Sequence, residues 1–328
     1  MSATTPTAKN RNRIVFNNVV SPRGHALVSY PMHVMIDNGV LEKEGNPARL
    51  LGLDVGMRIL VAGSGGRLGR LLHAARATGA CRDAEFIFQS SGPDRDVRWT
   101  TDDSLDLLPT CDMMIALWGK TAGTRDDLAM NTALVGLSRR VARHCGARRL
   151  FHISTAAVYG PGAKLTEDAP LRPIGPYGEA KLNMERKVTS GDSAVSEHVL
   201  RLANVVGADS LAPALAKGGE VTPDQFADGR GPIRSYIGAT DLLAVLKRLS
   251  DTETKPIPRV LNIAAPGPVA MEDLVLAAGR QVLWRPAPDS AIKEVSLDVG
   301  RLQALLPDHR FTSDAGEMIA DLNRLEVR

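Results

Sequence analysis

The stretch that decides the fold is "MRILVAGSGGRLGRLLHAA", residues 57–75. It begins with six mostly apolar residues, as expected for a strand buried on both faces of a parallel sheet. Gly63, Gly66 and Gly69 follow at intervals of three, and a helical pattern starts inside this motif. A glycine loop between a strand and a helix lets a pyrophosphate approach the N–H groups and the positive dipole of the helix start. The stretch therefore predicts a dinucleotide-binding strand–loop–helix unit.

The loop also supplies the first candidate binding residues. Glycine lets the chain turn sharply and lets a phosphate come close to the backbone. The alternative interpretation of the same glycines is a tight turn that binds no ligand. If the loop binds a dinucleotide, its binding residues are Gly63, Gly65, Gly66, Arg67, Leu68 and Gly69.

Downstream of Met57, apolar strand-like runs alternate with amphipathic helical patterns. The runs are 57–62, 85–89, 112–118, 149–154, 198–203 and 259–264, and the helical patterns are 66–79, 126–146, 177–190 and 239–250. This alternation predicts an α/β protein with a doubly wound parallel sheet, the Rossmann fold. We expect the Rossmann domain to span 57–206 and to be completed by 233–265. The Pro- and Gly-rich segments 207–232 and 266–328 are expected to form a small substrate-binding cap.

Residues 1–56 read differently from the rest of the chain. They contain a polar, unpatterned stretch and apolar residues without a sustained period of 2 or 3.6. Two interpretations are open: a loosely docked N-terminal arm, or a poorly ordered segment that is dispensable. We expect the second, with the fold starting at Met57.

Composition excludes several classes of protein. The chain has 328 residues, 44% of them apolar and 23% charged, and no apolar run long enough to span a membrane. The formal net charge is +3, and residues 1–56, with six Lys/Arg against four Asp/Glu, account for +2 of it. The rest of the chain is therefore nearly neutral and lacks the basic face that nucleic acid requires. Three scattered cysteines fit neither a disulfide framework nor a zinc site, and the histidines lack metal-ligand spacing. We expect a cytoplasmic protein without a metal.

Two further motifs carry hydroxyl groups and a lysine. "STAAVYG", residues 154–160, places Ser154 and Thr155 at the end of a predicted strand, where ligands bind in doubly wound sheets. "PYGEAKL", residues 176–182, places Tyr177 and Lys181 four apart, on one face of a helix. A cation beside a phenol lowers its pKa, so we expect Tyr177 to act as a general acid and base near neutral pH.

The second predicted strand bears on the choice between NAD and NADP. An acidic residue at its end would bind the adenosine ribose of NAD. The strand ends instead in Gln89, Ser90 and Ser91, with Arg95 soon after. Arg67 and Arg95 could meet a 2′-phosphate, so the pattern favours NADP without deciding between the two cofactors.

These motifs, with "LTEDAPLRPIGPYGEAK" and "LRLANVVGA", occur in the order and spacing of the extended short-chain dehydrogenase/reductase superfamily. The chain most resembles its NAD-dependent epimerase/dehydratase branch, over about 57–310. The resemblance implies that Tyr177 is the general acid/base and that Lys181 lowers its pKa and holds the nicotinamide ribose. It further implies that Thr155 bonds the reacting oxygen, with Ser154 beside it. The cofactor-binding positions that it adds are Ser90, Gly119 and Asn131.

The resemblance also assigns substrate-binding positions. Asn204 resembles an asparagine near the sugar-nucleotide phosphates, and Arg234 resembles an arginine that grips the diphosphate, with Arg285 as a second candidate. The chain departs from the family at Trp118, where the family has small residues, which bears on the shape of the cofactor pocket. The stretch from Asn204 to Arg234 is short for a lobe that binds a nucleotide sugar, so a smaller substrate is an alternative.

The resemblance implies an NAD(P)-dependent epimerase or 4-keto reductase that acts on a nucleotide-activated sugar by hydride transfer. A reductase of a small non-sugar carbonyl compound is an alternative, and a non-catalytic NAD(P)-binding redox sensor is another. Ala156 and Ala157 replace the Asp-Glu pair that follows the catalytic threonine in the 4,6-dehydratases, so dehydration is not expected. A homodimer through the helices that flank the site is common in the family and is possible here.

Overall fold

The computed structural model describes residues 35–36, 39–40, 56–191, 193–251 and 256–325. The chain divides into two compact units, Met1–Val55 and Gly56–Arg328. In the first unit, Met35–Ile36 pairs antiparallel with Gly39–Val40. The prediction that residues 1–56 are poorly ordered or dispensable otherwise lies outside the described residues.

The second unit alternates strands and helices. In chain order from residue 57, the strands are β1 (Met57–Ala62), β2 (Ala84–Ser90), β3 (Val97–Arg98), β4 (Met113–Ala116), β5 (Arg149–Thr155), β6 (Gly162–Leu165), β7 (Ser196–Leu202), β8 (Asn204–Val205), β9 (Glu220–Val221), β10 (Asp224–Gln225), β11 (Ile233–Ile237), β12 (Val260–Ile263), β13 (Pro268–Ala270), β14 (Gln281–Val282), β15 (Arg285–Pro286) and β16 (Glu294–Leu297). The helices are α1 (Arg67–Ala77), α2 (Arg125–His144), α3 (Pro176–Thr189), α4 (Ala212–Lys217), α5 (Ala239–Asp251), α6 (Met271–Ala277), α7 (Gly300–Leu305) and α8 (Ala315–Arg324).

Seven parallel strands form the central sheet, in the order β12-β7-β5-β4-β1-β2-β3. The chain therefore leaves β1 in one direction and later continues from β4 in the other, which is the strand order of a doubly wound Rossmann fold. The predicted fold class is confirmed. Such a sheet binds its ligands at the carboxyl ends of the strands, where the order reverses between β1 and β4.

Hydrophobic residues cover both faces of this sheet. Ile59 and Val61 of β1 belong to one buried cluster, which also contains Leu243 of α5. Leu60, between them in sequence, belongs to a second cluster with Val141 of α2. Successive strand residues point to opposite faces, so a continuous apolar run is what a sheet between two helical layers requires.

A second sheet forms the cap side of the molecule. Its order is β8-β11-β16-β6, with β13 antiparallel to β11. The strand β16 comes from the predicted cap, and it lies between β11 and β6, which belong to the predicted Rossmann domain. Rossmann and cap segments thus share one sheet. Within the described part of the chain, no helix is long and apolar enough to cross a membrane.

Candidate active site

The glycine loop between β1 and α1 has close contacts at two positions and open space at a third. Gly63 has a φ of +79°, and a Cβ on Gly69 would lie 2.1 Å from the carbonyl oxygen of Ser64. A Cβ on Gly66, the residue before α1, would meet nothing within 4 Å. No side chain caps this helix start, and its first turn has no acidic residue. The N–H groups of α1 are therefore open to an anion, as a pyrophosphate site requires.

The end of β2 holds the loop in place. The amide and the hydroxyl of Ser64 both donate to the Gln89 carbonyl, each at 2.8 Å, and the Gly63 amide donates to Gln89 Oε1 at 2.9 Å. Gln89 is buried, and its Nε2 donates to the Trp99 carbonyl at 2.6 Å. In the sequence, Gln89 is significant only because the end of this strand lacks the carboxylate that would bind the ribose of NAD. A polar residue ending a buried apolar strand was the available signal for this anchoring role.

The other predicted loop residues take different positions. Gly65 faces Ser90, whose Cβ would lie 3.4 Å from a Cβ on the glycine, while Leu68 packs against the hydrophobic core. Arg67 Nη1 donates to the Asp209 carbonyl at 3.0 Å, so its guanidinium lies beside the segment after β8. Arg95 Nε donates to the Ser64 carbonyl at 3.3 Å and stays beside the loop. The structure thus separates the two arginines that were expected to act together.

The segment after β4 closes around Asn131 of α2. Asn131 is buried, and its Nδ2 donates to the carbonyls of Lys120 and Leu128 at 3.0 and 2.9 Å. Its Oδ1 accepts from the Lys120 amide at 3.2 Å and leaves no room for a Cβ at Gly119. Asn131 therefore shapes this wall of the cleft through the backbone.

Trp118 fits beside the glycine loop because its indole is directed toward α2. Its indole N–H donates to Ser138 Oγ of α2 at 2.8 Å, and its ring lies 6.5 Å from that of Trp99. Its Cβ and backbone lie so close to Gly63 that a Cβ there would come within 2.5 Å. The large side chain thus packs against α2, and glycine at position 63 makes the close approach possible.

Tyr177, Lys181 and Thr155 come together where α3 meets the end of β5. Thr155 is the last residue of β5, and its Oγ1 accepts from the Ala157 amide at 3.2 Å. A Cβ on Gly178 would lie 2.7 Å from the Ala157 carbonyl oxygen, so glycine after Tyr177 lets α3 approach this turn. Lys181 is buried, with its Nζ donating to the Ile153 carbonyl at 2.8 Å.

The electrostatics of the pair differ from the expectation. Burial raises the pKa of the half-buried Tyr177 phenol, against an opposing hydrogen bond from Thr155. Burial also lowers the pKa of Lys181 to about 8, and the nearby Glu185 carboxylate opposes that change. The expected lowering of the Tyr177 pKa by Lys181 is absent because desolvation of the phenol dominates and the ammonium is engaged with Ile153.

Ser154 lies away from the site, contrary to prediction. Successive residues of a strand face opposite sides, so Ser154 points away from the side that Thr155 faces. It is buried and donates to Glu185 Oε1 at 2.5 Å. Arg201 of β7, its register partner, binds the same carboxylate at 2.8 Å. Ser154 therefore belongs to a buried ionic network behind the site.

A cavity of about 190 Å³ opens beside Thr155. Asn204 and Arg234 line it, so three of the predicted residues share one pocket. Arg234 donates to the carbonyls of Ile233, Lys293 and Ile292 at 2.7, 3.0 and 2.8 Å. The lining residues are Thr155, Ala156, Ala157, Gly160, Ile174, Asn204, Arg234, Ser235, Ile292 and Val295.

One further predicted residue, Arg285, lies outside the pocket. Arg285, the second candidate for a diphosphate, is exposed and paired with Asp224 on β10, its Nε at 2.9 Å. It is not among the pocket residues. The described residues include no group of three or more His, Cys, Asp or Glu side chains that could hold a metal ion.

Comparison with known proteins places this site in context. Residues 114–264 match the model of the NAD dependent epimerase/dehydratase family. UDP-glucose 4-epimerase of Lactobacillus helveticus is 49% identical over 61 residues, which are 17% of this chain and 18% of that protein. UDP-arabinose 4-epimerase 1 of Arabidopsis thaliana is 29% identical over 161 residues, 40% of this chain and 38% of that protein. The matched region spans well under half the length of these relatives.

Solved structures match over more of the chain. MoeE5 in complex with UDP-glucuronic acid and NAD superposes with a TM-score of 0.64 at 20% identity, covering 82% of this chain and 98% of MoeE5. UDP-glucuronic acid 4-epimerase of Bacillus cereus, in complex with UDP-glucuronic acid and NAD, gives 0.66 at 18% identity, covering 82% and 99%. At these identities the likeness concerns the fold. The match over residues 114–264 confirms the predicted resemblance to the NAD-dependent epimerase/dehydratase family.

Proposed function

We propose that this protein is an NAD(P)-dependent 4-epimerase of a nucleotide-activated sugar, with 4-keto reduction as the related activity of the same site. One observation carries the proposal: Thr155, Asn204 and Arg234 line a single pocket at the carboxyl end of β5. The helix that begins beside this strand end brings Tyr177 and Lys181 to it. The pocket thus offers hydroxyl groups for a carbinol and a guanidinium for a phosphate.

Tyr177 is the proton donor and acceptor in this proposal. Because burial raises its pKa, the phenol stays protonated at neutral pH and can donate to a sugar oxygen. Thr155 Oγ1 holds the same oxygen by a hydrogen bond. In the oxidative direction Tyr177 takes up the hydroxyl proton, so this direction should become faster as pH rises. A bound nicotinamide supplies reversible hydride acceptance at the sugar carbon.

The glycine loop supports the proposal of a dinucleotide cofactor in this cleft. The open space at Gly66, the uncapped start of α1 and the close approach at Gly69 are what a pyrophosphate site needs. The loop amides and α1 would hold the pyrophosphate, and Lys181 would hold the nicotinamide ribose.

The choice between NAD and NADP rests on Arg95. The end of β2 offers Gln89 and Ser90 and no carboxylate, and Arg95 lies beside the loop at Ser64. Arg67 donates to the Asp209 carbonyl, in the segment after β8, and makes no such contact beside the end of β2. We infer that Arg95 favours NADP, while the superposed MoeE5 and Bacillus cereus structures contain NAD. Affinities for both cofactors, in the wild type and in Arg95→Met, test this: the variant should lose affinity for NADP only.

The substrate's anionic end is assigned to Arg234 and Asn204. Arg234 uses Nη1 and one N–H of Nη2 for backbone carbonyls, which leaves its Nε and the second N–H of Nη2 for a phosphate. The pocket lining contains no carboxylate that would repel this anion. We also propose a homodimer through the helices that flank the site, among them α2 with its exposed Met130. Sedimentation of the wild type and of Met130→Glu tests the dimer, which the charged variant should weaken.

A reductase of a small carbonyl compound is the second candidate. The cavity of about 190 Å³ is smaller than the roughly 300–1,000 Å³ of most ligand pockets. The deciding experiment measures binding of UDP, UDP-sugars and other nucleotide sugars with NAD or NADP present, and then looks for the 4-epimer by chromatography. Absence of nucleotide binding together with reduction of a small ketone would replace the epimerase proposal with this candidate.

A further inference from the structure

A buried ionic network lies directly behind the candidate catalytic residues. Glu185 of α3 is only 3% exposed, and Arg201 of β7 is 4% exposed. Arg201 Nη2 lies 2.8 Å from Glu185 Oε2, and its Nε lies 3.2 Å from both carboxylate oxygens. Ser154 donates to Glu185 Oε1. A carboxylate buried this deeply needs such partners to remain charged.

Glu185 links two elements of the candidate site. On α3 it follows Lys181 by four residues, so the two side chains share a helix face. Its carboxylate also accepts a hydrogen bond from Ser154 of β5. Ser154 stands between Thr155 and Ile153, and the Ile153 carbonyl accepts from Lys181. One carboxylate thus ties the helix that carries Tyr177 and Lys181 to the strand that presents Thr155.

The same network reaches the turn that lines the pocket. Arg201 Nη1 donates to the Tyr159 hydroxyl and to the Glu167 carbonyl, both at 2.9 Å. The Tyr159 ring lies under the guanidinium, 4.8 Å from it, and the Tyr159 hydroxyl donates to Asn262 Oδ1 at 2.7 Å. Tyr159 follows the pocket residues 156–157, so the network supports this wall from behind.

We propose that Glu185 is a positioning residue that sets α3 against the end of β5 and keeps the buried Lys181 ammonium charged. The catalytic part of this inference rests on the proposed function, whereas the effect on Lys181 does not. It predicts that loss of the carboxylate charge, with the shape of the side chain retained, changes the protonation of Lys181.

The other charged groups around Lys181 do not supply this effect. On β5, His152 is buried, its pKa is lowered by desolvation, and its Nε2 lies 3.0 Å from Glu197 Oε1. Glu197 is itself paired with Arg139 of α2 at 2.7 Å. Arg201 would repel Lys181 but is neutralised by Glu185. Glu185 is the acidic group that raises the pKa of Lys181.

The test titrates Lys181 directly. Full-length protein labelled with lysine carrying ¹⁵N at Nζ is followed by NMR between pH 6 and 11, with Lys181→Arg used to assign the signal. The wild-type midpoint should lie at about 8. In Glu185→Gln it should fall by about one pH unit, because an opposite charge has been removed from a buried ammonium. An unchanged midpoint would overturn the proposal.

Two matched variants keep this test decisive. Glu185→Gln leaves Arg201 unpaired and can unfold the protein, so Glu185→Gln/Arg201→Gln removes both charges while amides still bond each other. This double variant should fold. Because it loses the Arg201 cation together with the Glu185 carboxylate, its midpoint should lie below 8 but fall by less than in the single variant. Ser154→Ala removes the hydroxyl contact but not the charge, so its midpoint should stay at about 8. Loss of the fold in both Gln variants would overturn the positioning role and leave a structural one.

The titration needs neither cofactor nor substrate, so its outcome is independent of the proposed function. If the epimerase activity is found, the alkaline limb of kcat/KM in Glu185→Gln should move to lower pH by the same amount as the Lys181 midpoint. A lowered midpoint with no turnover of any nucleotide sugar would retain the effect on Lys181 and reject the proposed function.

Discussion

The cleft at the carboxyl end of the central sheet has two sides, which we call the cofactor side, around the predicted cofactor loop after β1, and the pocket side, around Thr155, Asn204 and Arg234. On the cofactor side, backbone N–H groups and the absence of side chains at glycines make the site. On the pocket side, individual side chains from β5, β8 and β11 make it. Backbone sites depend on local sequence, whereas side-chain sites depend on how distant strands are arranged.

The largest expected effect tests whether chemistry occurs on the pocket side. Tyr177→Phe keeps the ring of Tyr177 and removes the only proton that the phenol can transfer. We expect kcat to fall by at least about 10²-fold, the usual scale for general acid–base catalysis. Cofactor affinity, measured by titration calorimetry, should stay within about twofold because the phenyl ring still fills the site.

Near-normal turnover in Tyr177→Phe would contradict the assignment of acid and base. In that case the pocket side would bind ligand while another group transferred the proton. Loss of both turnover and cofactor affinity would instead show that the tyrosine has a structural role.

The second effect concerns the anionic end of the substrate. Arg234→Met should raise KM for the nucleotide sugar by about 10- to 100-fold, because a hydrogen bond to a charged group contributes about 1.5–3 kcal/mol. Arg285→Met is the matched control: Arg285 is 62% exposed, pairs with Asp224 and lies outside the pocket, so KM should change little. Equal effects of the two substitutions would mean that the pocket does not hold the phosphates.

The sequence predicted the cofactor side more completely than the pocket side. On the cofactor side, the loop glycines and the helix after them follow from local spacing. Ser154 was placed wrongly, although the period-two alternation of strands would have separated it from Thr155. The packing of β16 between β11 and β6 could not be foreseen, because short strands far apart in sequence leave no periodic signal.

The third prediction compares two loop glycines of the cofactor side, one next to open space and one packed against the backbone. Gly66→Ala adds a methyl group in open space at the start of α1, so stability should change little while cofactor affinity falls by about tenfold. Gly69→Ala places Cβ against the Ser64 backbone, and overpacking of this kind costs about 1–3 kcal/mol.

Thermal unfolding without cofactor distinguishes the two variants. Gly69→Ala should unfold at a lower temperature than wild type, and Gly66→Ala at nearly the same temperature. If both variants bind cofactor as tightly as wild type, the loop is a tight turn and not a pyrophosphate site.

The smallest effect is expected from removing the residues before Gly56. This truncation tests whether the two sides of the cleft are sufficient for binding and turnover. Every candidate site residue lies in the unit Gly56–Arg328, and its first sheet strand begins at Met57. A truncated protein that begins at Gly56 should therefore fold, bind cofactor with unchanged affinity and retain its turnover. Circular dichroism, calorimetry and the epimerisation assay check these three properties in turn. Lost turnover with intact cofactor binding would mean that residues 1–55 contribute to the pocket side. Loss of both would place them in the fold itself, and the boundary at residue 56 would be wrong.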